Sequence, residues 1–240
     1  MDYKILSLDE TGKAHYHHPS KLFVISGCVV KEKHKAELRL SADKIIFKYW
    51  GDKNIIFHSA DMFGARGDFS IFKDKHIEKS FWSDFVRIII RKNYLSFYIV
   101  TVDKIKAKIN NWQVKTIVEK SYGLILSEFV KNLAKSKYLG RVQSESSTDQ
   151  DVSLITAHSN LQRNGVGSIK GSEYFKQITC LSLVTKGNHD IETQLSDIMA
   201  TVGKVSASIK DARPIERLIY DEFLSKTRDK NNPSILKKLI

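Results

Sequence analysis

The chain has 240 residues, 42% of them hydrophobic, with 12 Gly and 3 Pro, which provides for a full buried core and excludes a chain dominated by disorder. Its cysteines, Cys28 and Cys180, both lie inside apolar runs, where a thiol acts as a small buried hydrophobe; they imply neither a disulfide framework nor a zinc site. Against 27 Asp and Glu stand 39 Lys and Arg, a formal net charge of +12, and a basic excess spread through the chain suits a phosphate-backbone partner, although solubility accounts for it too.

The N-terminus lacks an apolar signal core and no apolar run reaches the length of a bilayer span, so a cytoplasmic protein with no membrane partner is expected. In chain order, residues 3–9 read as a first β-strand, with Tyr3, Ile5, Leu6 and Leu8 giving it the content of a central strand. Asp9 and Glu10 follow at once, then Thr11 and Gly12. A carboxylate ending a central strand needs an explanation, because burying an unpaired charge costs several kcal/mol; a divalent metal meets that cost, and a cap on the Thr11-Gly12 turn is the plainer alternative. Glu10 falls on the opposite face if the strand continues through it, which makes it a supporting residue.

Further strands are expected at 22–30, 54–58, 95–102, 140–144 and 178–185, each short and rich in β-branched or aromatic residues. Helical periodicity occupies 31–50, 76–91, 114–135, 151–162, 191–209 and 214–224, with Pro214 suited to a first turn. The sum is an α/β fold, a mixed-direction sheet with helices packed over it, in one domain spanning 1–240. Helical insertions are expected at 31–51 and 74–93, and a C-terminal helix and tail at 214–240, with the polar run 226–233 read as frayed.

The residues able to carry chemistry are acidic and dispersed. Asp9 ends the first strand, Glu145 follows 140–144, Asp151 opens the next helix, and Asp197 lies at the margin of the apolar face made by Ile191, Leu195, Ile198, Met199 and Val202. Magnesium and manganese take oxygen ligands, a few carboxylates plus water and phosphate, so acids meeting at one sheet edge are the pattern such an ion requires. Asp151 serves equally as an acid at a helix start, and Asp197 equally as a solvated flank. His58 and Asp61, three apart after a strand, fit a base and its orienter or a hydrogen-bonded core histidine. Arg66 between Gly64 and Gly67, Lys170 in a glycine-rich stretch, and Lys104 and Lys186 after strands are candidate phosphate contacts or ordinary surface cations. His15, His17 and His18 read as a polar turn, and Trp50, Trp82 and Trp112 as core packing.

Taken in order, these motifs resemble the DUF 3800 family. The matching pieces are Asp9-Glu10-Thr11-Gly12 for an opening Asp-Glu-Ser-Gly, His58-Ser59-Ala60-Asp61 with Phe69, Val102-Asp103-Lys104, Glu145-Ser146 with Asp151 and Leu154, residues 178–186, and Gln194-Leu195-Ser196-Asp197-Ile198. They cover nearly the whole chain. Thr11 replaces a usual Ser, Thr193 a Leu and Ser147 a common Arg, and none of these changes removes an acid.

The resemblance implies an RNase H-like fold with acids on the first strand, the fourth strand and a late helix: Asp9, Glu145 and Asp197. It also implies two Mg²⁺ or Mn²⁺ ions and phosphodiester hydrolysis in DNA or RNA, in a defence or mobile-element setting. The alternative on the same fold is a non-catalytic module that binds nucleic acid or a protein partner, including a second copy of itself. Convergence of the three acids separates the two.

Overall fold

Alternation of apolar residues sets the sheet. In chain order come β1 (Tyr3–Thr11), β2 (Leu22–Lys31), α1 (Lys35–Trp50), α2 (Ser59–Gly64), α3 (Lys75–Phe85), β3 (Leu95–Asp103), α4 (Lys104–Ile109) and α5 (Val114–Ala134). Then follow β4 (Leu139–Glu145), α6 (Asp151–Asn164), α7 (Gly171–Gln177), β5 (Ile178–Val184), α8 (Ile191–Gly203), α9 (Pro214–Lys226) and β6 (Ile235–Leu239). This is a computed structural model, and it describes residues 2–52, 54–147, 150–185, 189–230 and 232–240.

The six strands form one mixed sheet in the order β5-β4-β1-β2-β3-β6. β2 runs antiparallel to β1 and to β3, and the other neighbouring pairs are parallel. Because side chains alternate across a strand, the two faces separate cleanly. Ile5, Val24, Cys28, Val30, Leu95, Phe97 and Ile99 pack beneath α1, α3, α8 and α9. Leu6, Leu8, Phe23, Ile25, Val29, Tyr98 and Val100 pack beneath α5, α6 and α7. The fold is thus mixed α/β with helices on both faces. No helix among the described residues is long and apolar enough to cross a membrane.

α8 lies closest to the sheet. A Cβ on Gly203 would stand 2.8 Å from Ile99 Cγ2 and 2.9 Å from Val24 Cγ1, so only glycine lets the helix end sit there. The Ser196 hydroxyl donates to the Ser7 carbonyl at 2.6 Å and accepts from the Cys28 N–H at 3.0 Å, fastening the helix over β1 and β2.

Four expectations are corrected. Residues 54–58 form no strand and join no sheet; the Phe57 N–H is taken by Gln194 Oε1 at 2.8 Å. The late helix stops at Gly203 and gives way to 3₁₀ turns at Lys204–Ser206 and Ile209–Asp211. Cys180 is exposed, since it sits on the edge strand β5, whereas Cys28 is buried. The segment after α9 is fixed: the buried Lys226 ammonium donates to the carbonyls of Lys92 (2.8 Å) and Leu95 (2.9 Å), and β6 pairs with β3.

Candidate acidic site at the end of the central strand

β1 and β4 run parallel with Leu8 beside Ser144. The next residue on each strand is an acid, Asp9 on one and Glu145 on the other. Their parity puts both on the face covered by α8, the face on which the Gln143 amide donates to Ser7 Oγ at 2.8 Å. Glu10, one residue on, turns to the other face, near Tyr122 of α5.

Asp197 enters from α8. The Ser59 N–H donates to its Oδ2 at 2.7 Å and the Ser59 hydroxyl to its Oδ1 at 2.6 Å, while Thr201 Oγ1 donates to Ser59 Oγ at 3.1 Å. One row of α8, Gln194, Asp197 and Thr201, therefore holds the chain at 57–59 and with it the start of α2. His58 is placed by the same fixing, and its Nδ1 stands 3.0 Å from Asp61 Oδ2.

Together these residues line a cleft of about 600 Å³ that contains Asp9, Glu10, Glu145, Asp197, His58 and Ser59, with Lys13, His15 and Gln150 on its walls. The field inside is one of like charges. Burial first, then the negative charges of Asp197 and Glu10, raise the Asp9 carboxyl well above the usual carboxylate range, and Glu145 adds to this. The Glu10 N–H, donating to Asp9 Oδ1 at 2.7 Å, opposes the shift. Burial and the Glu10 charge likewise push the Tyr122 phenol up. Burial lowers the Lys204 ammonium, against the pull of nearby Asp197.

Not every candidate is in the cleft. Asp151 accepts from the Ser146 hydroxyl (2.7 Å) and the Ser147 N–H (2.9 Å), so its carboxylate ties the turn between β4 and α6 and does not line the cleft. Asp61 is outside the lining and also meets Arg66 Nε at 3.5 Å, while Arg66 Nη2 donates to the Ala60 carbonyl. Lys104 is 3% exposed, and its ammonium donates to the carbonyls of Lys13, His15 and His18, so it is a structural cation and not a surface phosphate contact. Lys170 is exposed at the start of α7, where its N–H donates to Glu173 Oε2, away from the cleft lining. Lys186 lies outside the described residues.

Sequence reasoning missed Ser59, Gln150, Lys13 and Lys204 as neighbours of the acids. None of them carries a spacing signal: Lys204 falls seven residues beyond Asp197 but past the end of α8, in a 3₁₀ turn. The donors gathered here are oxygens, the kind hard divalent cations take. Among the described residues no three Asp, Glu, His or Cys side chains already form a group able to hold an ion.

No protein-family model, curated protein or solved structure matches the chain.

Proposed function

We propose that the protein is a divalent-metal-dependent nuclease of RNase H-like architecture that hydrolyses phosphodiester bonds in DNA or RNA. The observation that carries this reading is Asp9, a carboxylate at the end of a central strand that is repelled by Asp197 from α8 and by Glu145 from β4 within one open cleft. On a chain of net charge +12, a fold could pair that acid with a lysine or arginine. Among the described residues no lysine or arginine forms an ion pair with Asp9, and the charges that act on it are those of acids, which disfavours its ionised form until a cation is bound.

Mg²⁺ or Mn²⁺ fits the donor set. Asp9, Glu145 and Asp197 would hold it, and two further oxygens nearby, Ser26 Oγ across from Asp9 in register and Gln150 Oε1 in the cleft, have no hydrogen-bond partner among the described residues. When bound, such an ion activates a water and offsets charge on the leaving oxygen.

The chain's own groups set up the rest. Ser59 fixes the Asp197 carboxylate by two hydrogen bonds, so its orientation is set before substrate arrives. His58, engaged by Asp61 through Nδ1, keeps Nε2 for a proton transfer at the cleft. Lys13 and Lys204 place positive charge beside the acids, where a phosphate would lie.

The second reading, a binding module without catalysis, draws on the basic surface of a chain with net charge +12. The test is a cleavage screen over single-stranded and duplex DNA, RNA and hybrids with Mn²⁺ present. The nuclease reading expects cleavage that Asp9→Asn and Asp197→Asn each abolish while circular dichroism stays native. Cleavage retained by both variants removes these acids from the site. Binding without cleavage under Mg²⁺ and Mn²⁺ alike leaves the binding module.

A further inference from the structure

Two concavities share one wall. Between β1 and β2 the chain makes a loop, residues 12–21, whose Lys13 and His15 line the acidic cleft. The same loop turns Tyr16, His17, His18 and Lys21 into a second groove, of about 520 Å³, which α4 completes with Ile105 and Lys108.

This wall is held in place. The Lys104 ammonium donates to the carbonyls of Lys13 (3.1 Å), His15 (2.9 Å) and His18 (3.2 Å), and its N–H donates to the Lys21 carbonyl at 3.0 Å. Tyr16 adds a bond from its hydroxyl to the Trp112 carbonyl at 2.5 Å. A buried lysine thus spends its donors on holding a loop whose outer cations face solvent.

No acid among the described residues lines the groove. Asp103, next along the chain, is turned into the start of α4, where it accepts from the N–H groups of Ile105 (2.9 Å) and Lys106 (3.1 Å). Lys21 and Lys108 are exposed and make no salt bridge among the described residues. Positive charge is dense here: after burial, Lys104, Lys204 and Lys13 all act to lower the His18 imidazole. Lys204 also lies within the field of Asp197, so the basic groove and the acidic cleft adjoin.

The geometry points to this groove as the seat of the sugar-phosphate backbone of a nucleic-acid strand, with Lys21 and Lys108 on its phosphates. The strand then continues past Lys13 toward Asp9, a direction that rests on the nuclease reading. Affinity of the groove does not rest on it.

The experiment measures binding without divalent metal, by fluorescence anisotropy in EDTA, of labelled DNA and RNA oligonucleotides, single-stranded and paired. The double variant Lys21→Ala/Lys108→Ala is compared with Lys73→Ala/Lys79→Ala, which removes the same charge from exposed positions at and before α3, over the other sheet face. The groove variant is expected to bind about tenfold more weakly, with the slope of log Kd against log salt reduced by about 1.5, and the control to match the parent. The oligonucleotide types distinguish DNA from RNA as the source of the backbone. Equal affinities for the two double variants, or no binding by the parent at low salt, overturn the groove even if cleavage is found. Loss of binding confined to the groove variant upholds it even if no metal ever supports cleavage.

Discussion

A carboxylate surrounded by carboxylates is a stability statement as much as a chemical one. Asp9 is held above its ordinary range by burial and by the charges of Asp197, Glu10 and Glu145, so its ionised form is disfavoured in the folded chain relative to the unfolded one. Asp9→Asn is therefore expected to raise the thermal midpoint near neutral pH, by roughly 2–4 °C if about 1 kcal/mol is recovered. Adding Mn²⁺ should raise the midpoint of the parent and not of the variant; scanning calorimetry with and without the ion reads both. Lys4 titrates in the opposite sense. Burial, with Lys31 alongside, brings its ammonium down to about 8 from 10.5, although its Nζ donates to Asn132 Oδ1 at 2.7 Å. The unfolded chain holds more protons than the folded one between those values, so this residue's penalty is full below about pH 8 and is relieved as pH rises toward 10.5. Lys4→Met should be the more stable protein near pH 7, with its advantage shrinking by about pH 9.5, as urea unfolding across that range would reveal.

Among the elements, the β1–β2 loop depends most on one distant side chain. Lys104→Met leaves the carbonyls of Lys13, His15 and His18 without their shared donor, a loss on the order of 1–3 kcal/mol. Hydrogen exchange is expected to speed up at 13–18 while the α8 amides stay protected. No such role shows in sequence, where a lysine after a strand is as easily a surface cation. Five of the six strands were legible because β-branched and aromatic residues alternate in them. Residues 54–58 carry the same pattern, yet Ile55 and Phe57 face a helix-lined core, and the backbone bonds to Gln194 instead of a neighbouring strand. β6 went unseen because Lys237 and Lys238 interrupt a five-residue segment that follows a polar run. Asp9, Glu145 and Asp197 stood out as dispersed acids at strand ends and a helix margin, but spacing left their meeting open and only the family resemblance grouped the three; all three line the cleft. Ser59 and Lys204 take their meaning from contacts across 138 residues and across a field, which spacing cannot encode.

At the scale of the whole molecule, charge is unevenly placed. The net +12 surrounds a cleft of negative residues, so any anionic strand brought to it would meet long-range attraction and then local repulsion. The sheet carries both: parallel β1 and β4 end side by side and present their acids at one edge, while the antiparallel return to β2 creates the basic loop next to them. The same sheet has a consequence for synthesis. β3 pairs on one side with β2, made early, and on the other with β6, made more than a hundred residues later. A nascent chain that has paired β3 with β2 before residues 235–239 leave the ribosome has an unpaired row of β3 amides and carbonyls, open to a neighbouring nascent chain. Expression yield should then depend on how quickly the last strand arrives, and a chaperone that shields strand edges has a defined place to act.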